Sequence, residues 1–376
     1  MRFVVFTHSL VSDWNHGNAH FLRGVMSELV ARGHEAIAYE PADGWSRRNL
    51  IADQGETAVA DFHRRFPELK AETYGPAPDL PAMLDRADVV LVHEWTDPDL
   101  VARLGAARRA GAPYTLLFHD THHRAVSADT AIAGLDLDGY DGVLAFGEVL
   151  SELYRGRGWG RQVFTWHEAA DTRVFRPHPE IAPGRDLVWV GNWGDGERSD
   201  TLRAYLLEPV RQLGLSATIH GVRYPEDALS ELRNAGIAYR GWLANADVPE
   251  TFARHRVTVH VPRRPYVAQL PGIPTIRVFE ALACGIPLIC APWDDVEELF
   301  RAGEDYLTAG SPDAITSQLA RVLADRELAQ ELRLNGLARI LSRHTCAHRV
   351  DELFTILAEL RATDSPSSLE HWAAAE

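Results

Sequence analysis

Short apolar runs alternate with longer segments whose apolar residues recur at helical spacing, along most of the chain. That alternation predicts β-α-β units stacked around parallel sheets. Arg2 to His8 is the first run. After a polar loop, Leu22, Val25, Met26, Leu29 and Val30 repeat at helical spacing, and Gly33 stands where a helix-ending glycine belongs. Ala36 to Tyr39 predicts a second strand. Asp88 to His93 and Tyr114 to His119 are continuous apolar runs, the form of strands buried on both faces, with a helix predicted from Pro98 to Ala110 between them. Gly142 to Gly147 and Gln162 to Trp166 continue the series. From Thr165 to Pro183 charged residues and prolines at 177, 179 and 183 break the rhythm and predict a linker. A second series follows at Leu187 to Gly191, Ala217 to Gly221, Ile237 to Gly241, Val257 to Val261 and Pro287 to Ala291, with longer helices from Pro312 onward. The last residues, SPSSLEHWAAAE, read as a tail or strap.

The predicted class is therefore α/β, with two Rossmann-like doubly wound domains facing across a cleft. The expected division is 1–168, 169–345, and a C-terminal helix and tail, 346–376, able to strap back onto the first domain. Ligands are expected between the lobes, where loops leave the C-terminal ends of the strands.

Charge narrows the partners. A formal net charge of −15 argues against nucleic acid and against a polybasic membrane patch. Lys70 is the only lysine, so a phosphate must be met by arginine or by backbone amides. Cys284, Cys290 and Cys346 form no CxxC pair and read as reduced core residues. The opening MRFVVFTHSL is too short for a signal h-region and no window reaches the roughly 18 apolar residues of a membrane span. A cytoplasmic protein without an integral membrane segment is expected.

Residues 270–293, LPGIPTIRVFEALACGIPLICAPW, place a Gly/Pro loop before a helix that begins near Thr275. Such a helix start offers free amides and a positive dipole end to a diphosphate, which nominates Thr275, Ile276 and Arg277. Glu280 lies about a turn and a half further in, where a carboxylate can accept bonds from ribose hydroxyls. The same pattern also suits an ordinary helix with a core face. Residues 190–202, VGNWGDGERSDTL, give a strand, a Gly-rich loop and a helix start, with Asn192 and Arg198 as candidates; a polar surface turn is the alternative. In FHDTHHRAV, residues 118–126, His119, Asp120, His122 and His123 crowd the end of a strand. Adjacent histidines without cysteine partners are weak metal evidence, and no metal ligand is assigned. The loop HSLVSDWNHGNAH, residues 8–20, brings Gly17 and Asn18 to a helix start; it is no G-x-G-x-x-G fingerprint, so a nicotinamide site is poorly supported. Asp136-Leu137-Asp138 reads as a turn, and Asp294 and Asp295 as a solvated cap of a following helix.

RVFEALACGIPLI resembles the donor-site signature of family 4 retaining glycosyltransferases, E-x(7)-E followed by A-x-A-x-G-x-P. The resemblance runs from His119 to about residue 310. It implies the GT-B architecture, a first domain on the acceptor side and a second that holds the donor. It also implies that Glu280, matching the second Glu, grips the nucleotide ribose. Where the first Glu would stand this chain has Gly272, and the closer resemblance is to the spore-maturation, CgeB-type branch. The same resemblance implies that Asn192 and Arg198 lie against the diphosphate, with Arg277 replacing a missing charge. His119 would reach the donor sugar, with Asp120 orienting it. TWHEAADTRVFRP, residues 165–177, is similar to the family's interdomain segment, with Asp171 and Phe175 fixing the hinge and Glu168 facing either substrate.

The expected activity is transfer of a hexose-type sugar from a nucleotide diphosphate sugar, UDP-sugar favoured, to a hydroxyl of a carbohydrate, small molecule or protein. The reaction would be retaining, metal-independent and without cofactor. A sugar-nucleotide epimerase and a non-catalytic nucleotide-sugar-binding protein are the alternatives on the same fold.

Overall fold

Two parallel sheets, of seven and six strands, carry the fold. The computed structural model describes residues 1–364; the stretch read as a tail or strap begins at 365 and lies outside the described residues. The first sheet contains β1 (Arg2–Phe6), β2 (Glu35–Pro41), β3 (Lys70–Tyr74), β4 (Val89–His93), β5 (Thr115–Asp120), β6 (Gly142–Ala145) and β7 (Val163–Thr165), in the order β3-β2-β1-β4-β5-β6-β7. The second contains β8 (Arg185–Val190), β9 (Ala217–His220), β10 (Ala238–Tyr239), β11 (His255–His260), β12 (Leu288–Cys290) and β13 (Leu307–Thr308), in the order β10-β9-β8-β11-β12-β13. The central strands of both are buried along nearly their whole length, which is why they read as unbroken apolar runs.

The direction of winding reverses between β1 and β4 in one sheet and between β8 and β11 in the other. At such a reversal the crossovers leave in opposite directions and open a crevice at the strands' C-terminal ends. The loops after β1, β4, β8 and β11 are thereby the ones that meet between the lobes.

Two strands escape the apolar pattern. β3 (KAETY) is an edge strand with mostly exposed residues, and β13 is only two residues long. The reading of Asp294 and Asp295 as a helix cap is corrected, since no helix follows. Asp295 instead accepts the amides of Leu299 and Phe300 at 3.2 and 2.8 Å within an irregular turn. Asp136 does form a turn, accepting the Asp138 amide at 3.2 Å and a fork from Arg109.

The last helix, Cys346–Asp364, packs on the first, Ala19–Ala31: Val350, Leu353 and Leu357 share one buried cluster with Phe21, Leu22 and Val25. Its start also grips the segment between the sheets. Ala170 bridges Thr345, and the Trp166 indole donates to the Arg349 carbonyl at 2.8 Å. Gly24 permits this crossing, because a Cβ there would lie 2.5 Å from the Cys346 sulfur and 2.7 Å from the Asp171 Cβ. The three cysteines are free and buried. No helix among the described residues is long and apolar enough to cross a membrane.

Candidate functional site

Two adjoining cavities occupy the crevice. The smaller, about 240 Å3, is walled by Val190, Gly191, Val222, Trp242, Leu243 and Arg277. The wider, about 730 Å3, is walled by His8, Trp45, His93, Trp95 and Glu168. Asn15, Gly17, His122, Arg263, Thr275 and Ile276 belong to both. A groove of about 780 Å3 lined by His178, Phe252, Cys284 and Arg333 is as large, but it lies at the N-terminal ends of β11 and β12, away from every switch-point loop.

The helix Ile276–Cys284 points its N-terminus at the junction of the two cavities. Thr275 precedes it with extended backbone and no side-chain cap bond; its hydroxyl pairs with His260 Nε2 at 3.1 Å instead. Gly285 closes the other end in the left-handed conformation that glycine adopts without strain. Gly17 lies close against the helix tip, since a Cβ there would meet Ile276 at 3.0 Å. Its neighbour Asn18 donates to the Glu168 carboxylate at 2.5 Å.

Three guanidinium groups gather beside that tip. Arg277 lines the smaller cavity, with one arm on the Glu280 carboxylate. Arg263, in the loop after β11, lines both cavities and divides its donors between Glu197 and the Asn192 side-chain oxygen, the latter at 3.0 Å. Arg198 is more deeply set. It donates to the Val261 and Asn192 carbonyls at 3.1 and 2.8 Å and to Asn192 Oδ1 at 2.7 Å, with its plane over Trp189. Burial, then the charge of Arg263, pulls Arg198 down to about 9, with Arg277 adding to the effect. Asn192 thus takes two guanidinium groups on its oxygen while its amide donates across the cleft to Asn15 at 2.7 Å. Arg223 stands at the same mouth on Asp195, so three carboxylates, Asp195, Glu197 and Glu280, face four arginines, which leaves one positive charge in excess beside a positive helix end.

Glu280 lies behind this wall and lines neither cavity. Its carboxylate accepts from His20 Nδ1 at 3.0 Å and from Arg277, and it is 0% exposed. His20 Nε2 receives the Asp171 amide at 2.8 Å, so the proton sits on Nδ1 and a neutral ring suffices. The ring is stacked on Phe175 at 3.8 Å. In this arrangement Glu280 positions Arg277 rather than presenting itself to a ribose. Asp171 and Phe175, expected to fix the hinge, both take part in that support.

Glu168 lines the wider cavity. Burial, then the nearby Glu280 charge, pushes its carboxyl up to about 8, although Asn18 and the Ile276 amide bond to it. That shift is toward the protonated form of a carboxyl seated on the helix tip.

The assignments of His119 and Asp120 to the cleft are corrected. β5 runs one residue further than the apolar run suggested, so His119 is still inside the sheet. Its ring lies 5.9 Å from Phe21 and 4.9 Å from Trp166, 0% exposed, and burial lowers it to about 3. Asp120 does not orient His119. It accepts the Tyr154 hydroxyl at 2.7 Å and the His122 amide at 3.0 Å, which fixes the turn that carries His122 into the cleft. The imidazoles that do line the wider cavity are His8, His16, His93, His122 and His123.

Sequence reasoning passed over Arg263 and the histidines at 8, 16 and 93. Arg263 follows the run VTVHVP, and its position after the strand beside the winding reversal was the available signal.

Residues 198–355 match the family described as Glycosyl transferase-like. No curated protein matches the chain. Among solved structures, sucrose-phosphate synthase from Thermosynechococcus elongatus is 14% identical, with a TM-score of 0.66 over 96% of this chain and 100% of that one. HepE of Anabaena in complex with UDP-glucose is 13% identical, with a TM-score of 0.68 over 96% and 100%. An alpha-glucosyltransferase in complex with UDP and a 13-mer DNA containing an HMU base is 12% identical, with a TM-score of 0.67 over 95% and 99%. The chain has the GT-B fold, and residues 198–355 are similar to the Glycosyl transferase-like family.

Proposed function

From that premise we propose that the protein is a glycosyltransferase that moves a hexose-type sugar from a nucleotide diphosphate sugar to a hydroxyl acceptor. The observation that carries the reading is the set of Arg198, Arg263 and Arg277 crowded beside the N-terminus of the 276–284 helix. Mutually repelling guanidinium groups at a helix N-terminus favour a bound anion, and a diphosphate supplies it. UDP is the favoured leaving group, because HepE and the alpha-glucosyltransferase are described with UDP or UDP-glucose. Val222, Trp242 and Leu243 line the smaller cavity where a base would fit. Family 4, and within it the CgeB-type branch, remains the resemblance we propose, with 1–168 and 169–345 as acceptor and donor domains and 346–364 belonging to the strap.

In the proposed reaction the bond from sugar C1 to the diphosphate oxygen breaks and a bond from C1 to the acceptor oxygen forms. The acceptor proton passes to the leaving phosphate oxygen on the same face, so the anomeric configuration is retained. Arg263, Arg277 and the positive end of the 276–284 helix border the place where negative charge grows, which supports electrostatic stabilisation without a metal. Glu168, protonated between Asn18 and the Ile276 amide, is placed to donate a hydrogen bond toward the donor sugar. Closure about the 165–183 segment would exclude water. A cytoplasmic location, with the cysteines reduced, belongs to the same proposal.

Release of UDP from UDP-hexoses tests the reading. Wild-type protein should release UDP slowly without acceptor and keep that activity in chelator, whereas Arg263→Ala should lose about tenfold or more, the usual loss for a charged hydrogen bond. Appearance of an epimerised sugar nucleotide, or loss of activity in chelator, would contradict it.

A further inference from the structure

The wider cavity has features that holding a donor does not use. Trp45 and Trp95 line it and are 46% and 45% exposed, in a protein that buries Trp166, Trp189, Trp193 and Trp293. Both indoles are braced. Trp95 carries the Arg124 guanidinium over its ring at 4.2 Å, and His122 meets it edge to face at 5.3 Å. Trp45 stands edge to face with Trp14 at 5.1 Å, and Trp14 is tied to Asp53 at 3.1 Å. A fixed indole with open area in a cleft loses little side-chain freedom when a ligand covers it.

The histidines beside the indoles are uncharged. Burial drives His8 down to about 4 and His122 well below the ordinary histidine range. Among the described residues neither ring makes a hydrogen bond, and the Nδ1 atom of each is buried without a partner. A neutral imidazole offers one donor and one acceptor, the complement of an alcohol hydroxyl and a poor match for an anion. The arginines at and around this mouth are each paired with a carboxylate: Arg47 with Glu40 and Arg124 with Glu94, each at 3.1 Å, Arg223 with Asp195 at 3.0 Å, and Arg263, at the border with the smaller cavity, with Glu197. A polyanion would find no free cation among them.

We infer that the wider cavity is the acceptor subsite and that its occupant is an uncharged saccharide. The C–H face of a pyranose rests on Trp95 and Trp45, and its hydroxyls exchange hydrogen bonds with His8 and His122. The apolar face and polar rim of a pyranose match an electron-rich ring flanked by neutral donor-acceptors. The word acceptor rests on the donor reading above; the saccharide site does not.

Calorimetric titration in saturating UDP tests this, with maltose, cellobiose and chitobiose oligomers as uncharged probes and polygalacturonate and a single-stranded oligodeoxynucleotide as charged ones. At least one uncharged oligosaccharide should bind. Trp95→Ala and Trp45→Ala should each weaken it about tenfold, and Trp95→Phe should weaken it less. Thermal shifts with UDP show whether the variants remain folded. UDP binding without any saccharide binding overturns the inference, as does binding confined to the charged probes or unaltered in both alanine variants. Failure of UDP itself to bind wild-type protein contradicts the donor reading instead.

Discussion

Glu168 is a carboxyl whose protonation is set by its surroundings. Buried near Glu280 and raised to about 8, it keeps its proton in the folded chain where the unfolded chain has lost it. Its contribution to stability is therefore complete below the ordinary value of 4.5 and disappears as pH rises through about 8. Glu168→Gln carries no such proton. The melting temperature of the variant relative to wild type should rise steadily from pH 4.5 to pH 8 and level off above. A constant difference across that range would mean that Glu168 is ionised in the folded protein. Individual side chains were legible in the sequence unevenly. Thr275, Ile276 and Arg277 were placed by the helix start they belong to, a local property. Glu280 was placed on the correct helix, but its burial depends on His20, which is 260 positions away, so no local pattern announced it. His119 failed for a smaller reason, a strand one residue longer than its apolar run.

At the scale of elements, the strands buried on both faces were readable because a fully covered strand must be apolar throughout, whereas β3, at an exposed edge, had no such constraint. Which loops meet depends on strand order, and strand order is set by crossovers that periodicity does not encode. That is why Arg263 was missed although its strand was found. The crossing of the first and last helices is equally non-local. Gly24→Ala would drive a methyl group against Cys346 and Asp171, at a place where the linker, the first helix and the last helix converge. Overpacking of this kind typically costs about 1–3 kcal/mol. Thermal or denaturant unfolding should show that loss, while Gly33→Ala, where a Cβ meets nothing within 4 Å, bears only the strain of its positive φ. Equal stability of Gly24→Ala and wild type would show that the helix crossing is looser than described.

Across the whole molecule, two doubly wound lobes turn their switch points toward each other, and the last helix returns to the first lobe after the second is complete. The cleft gains its character from both sides: a neutral, histidine-lined wall from one lobe, and a helix tip with clustered arginines from the other. An overall charge of −15 makes that local excess of positive charge an organised feature rather than a background one. The most direct test is the affinity for UDP compared with uridine, measured by calorimetry on wild-type protein and on Arg263→Ala. The account predicts that wild type binds UDP at least about tenfold more tightly than uridine and that Arg263→Ala loses most of that difference. Equal affinity for UDP and uridine, or undiminished UDP binding in the variant, would contradict it.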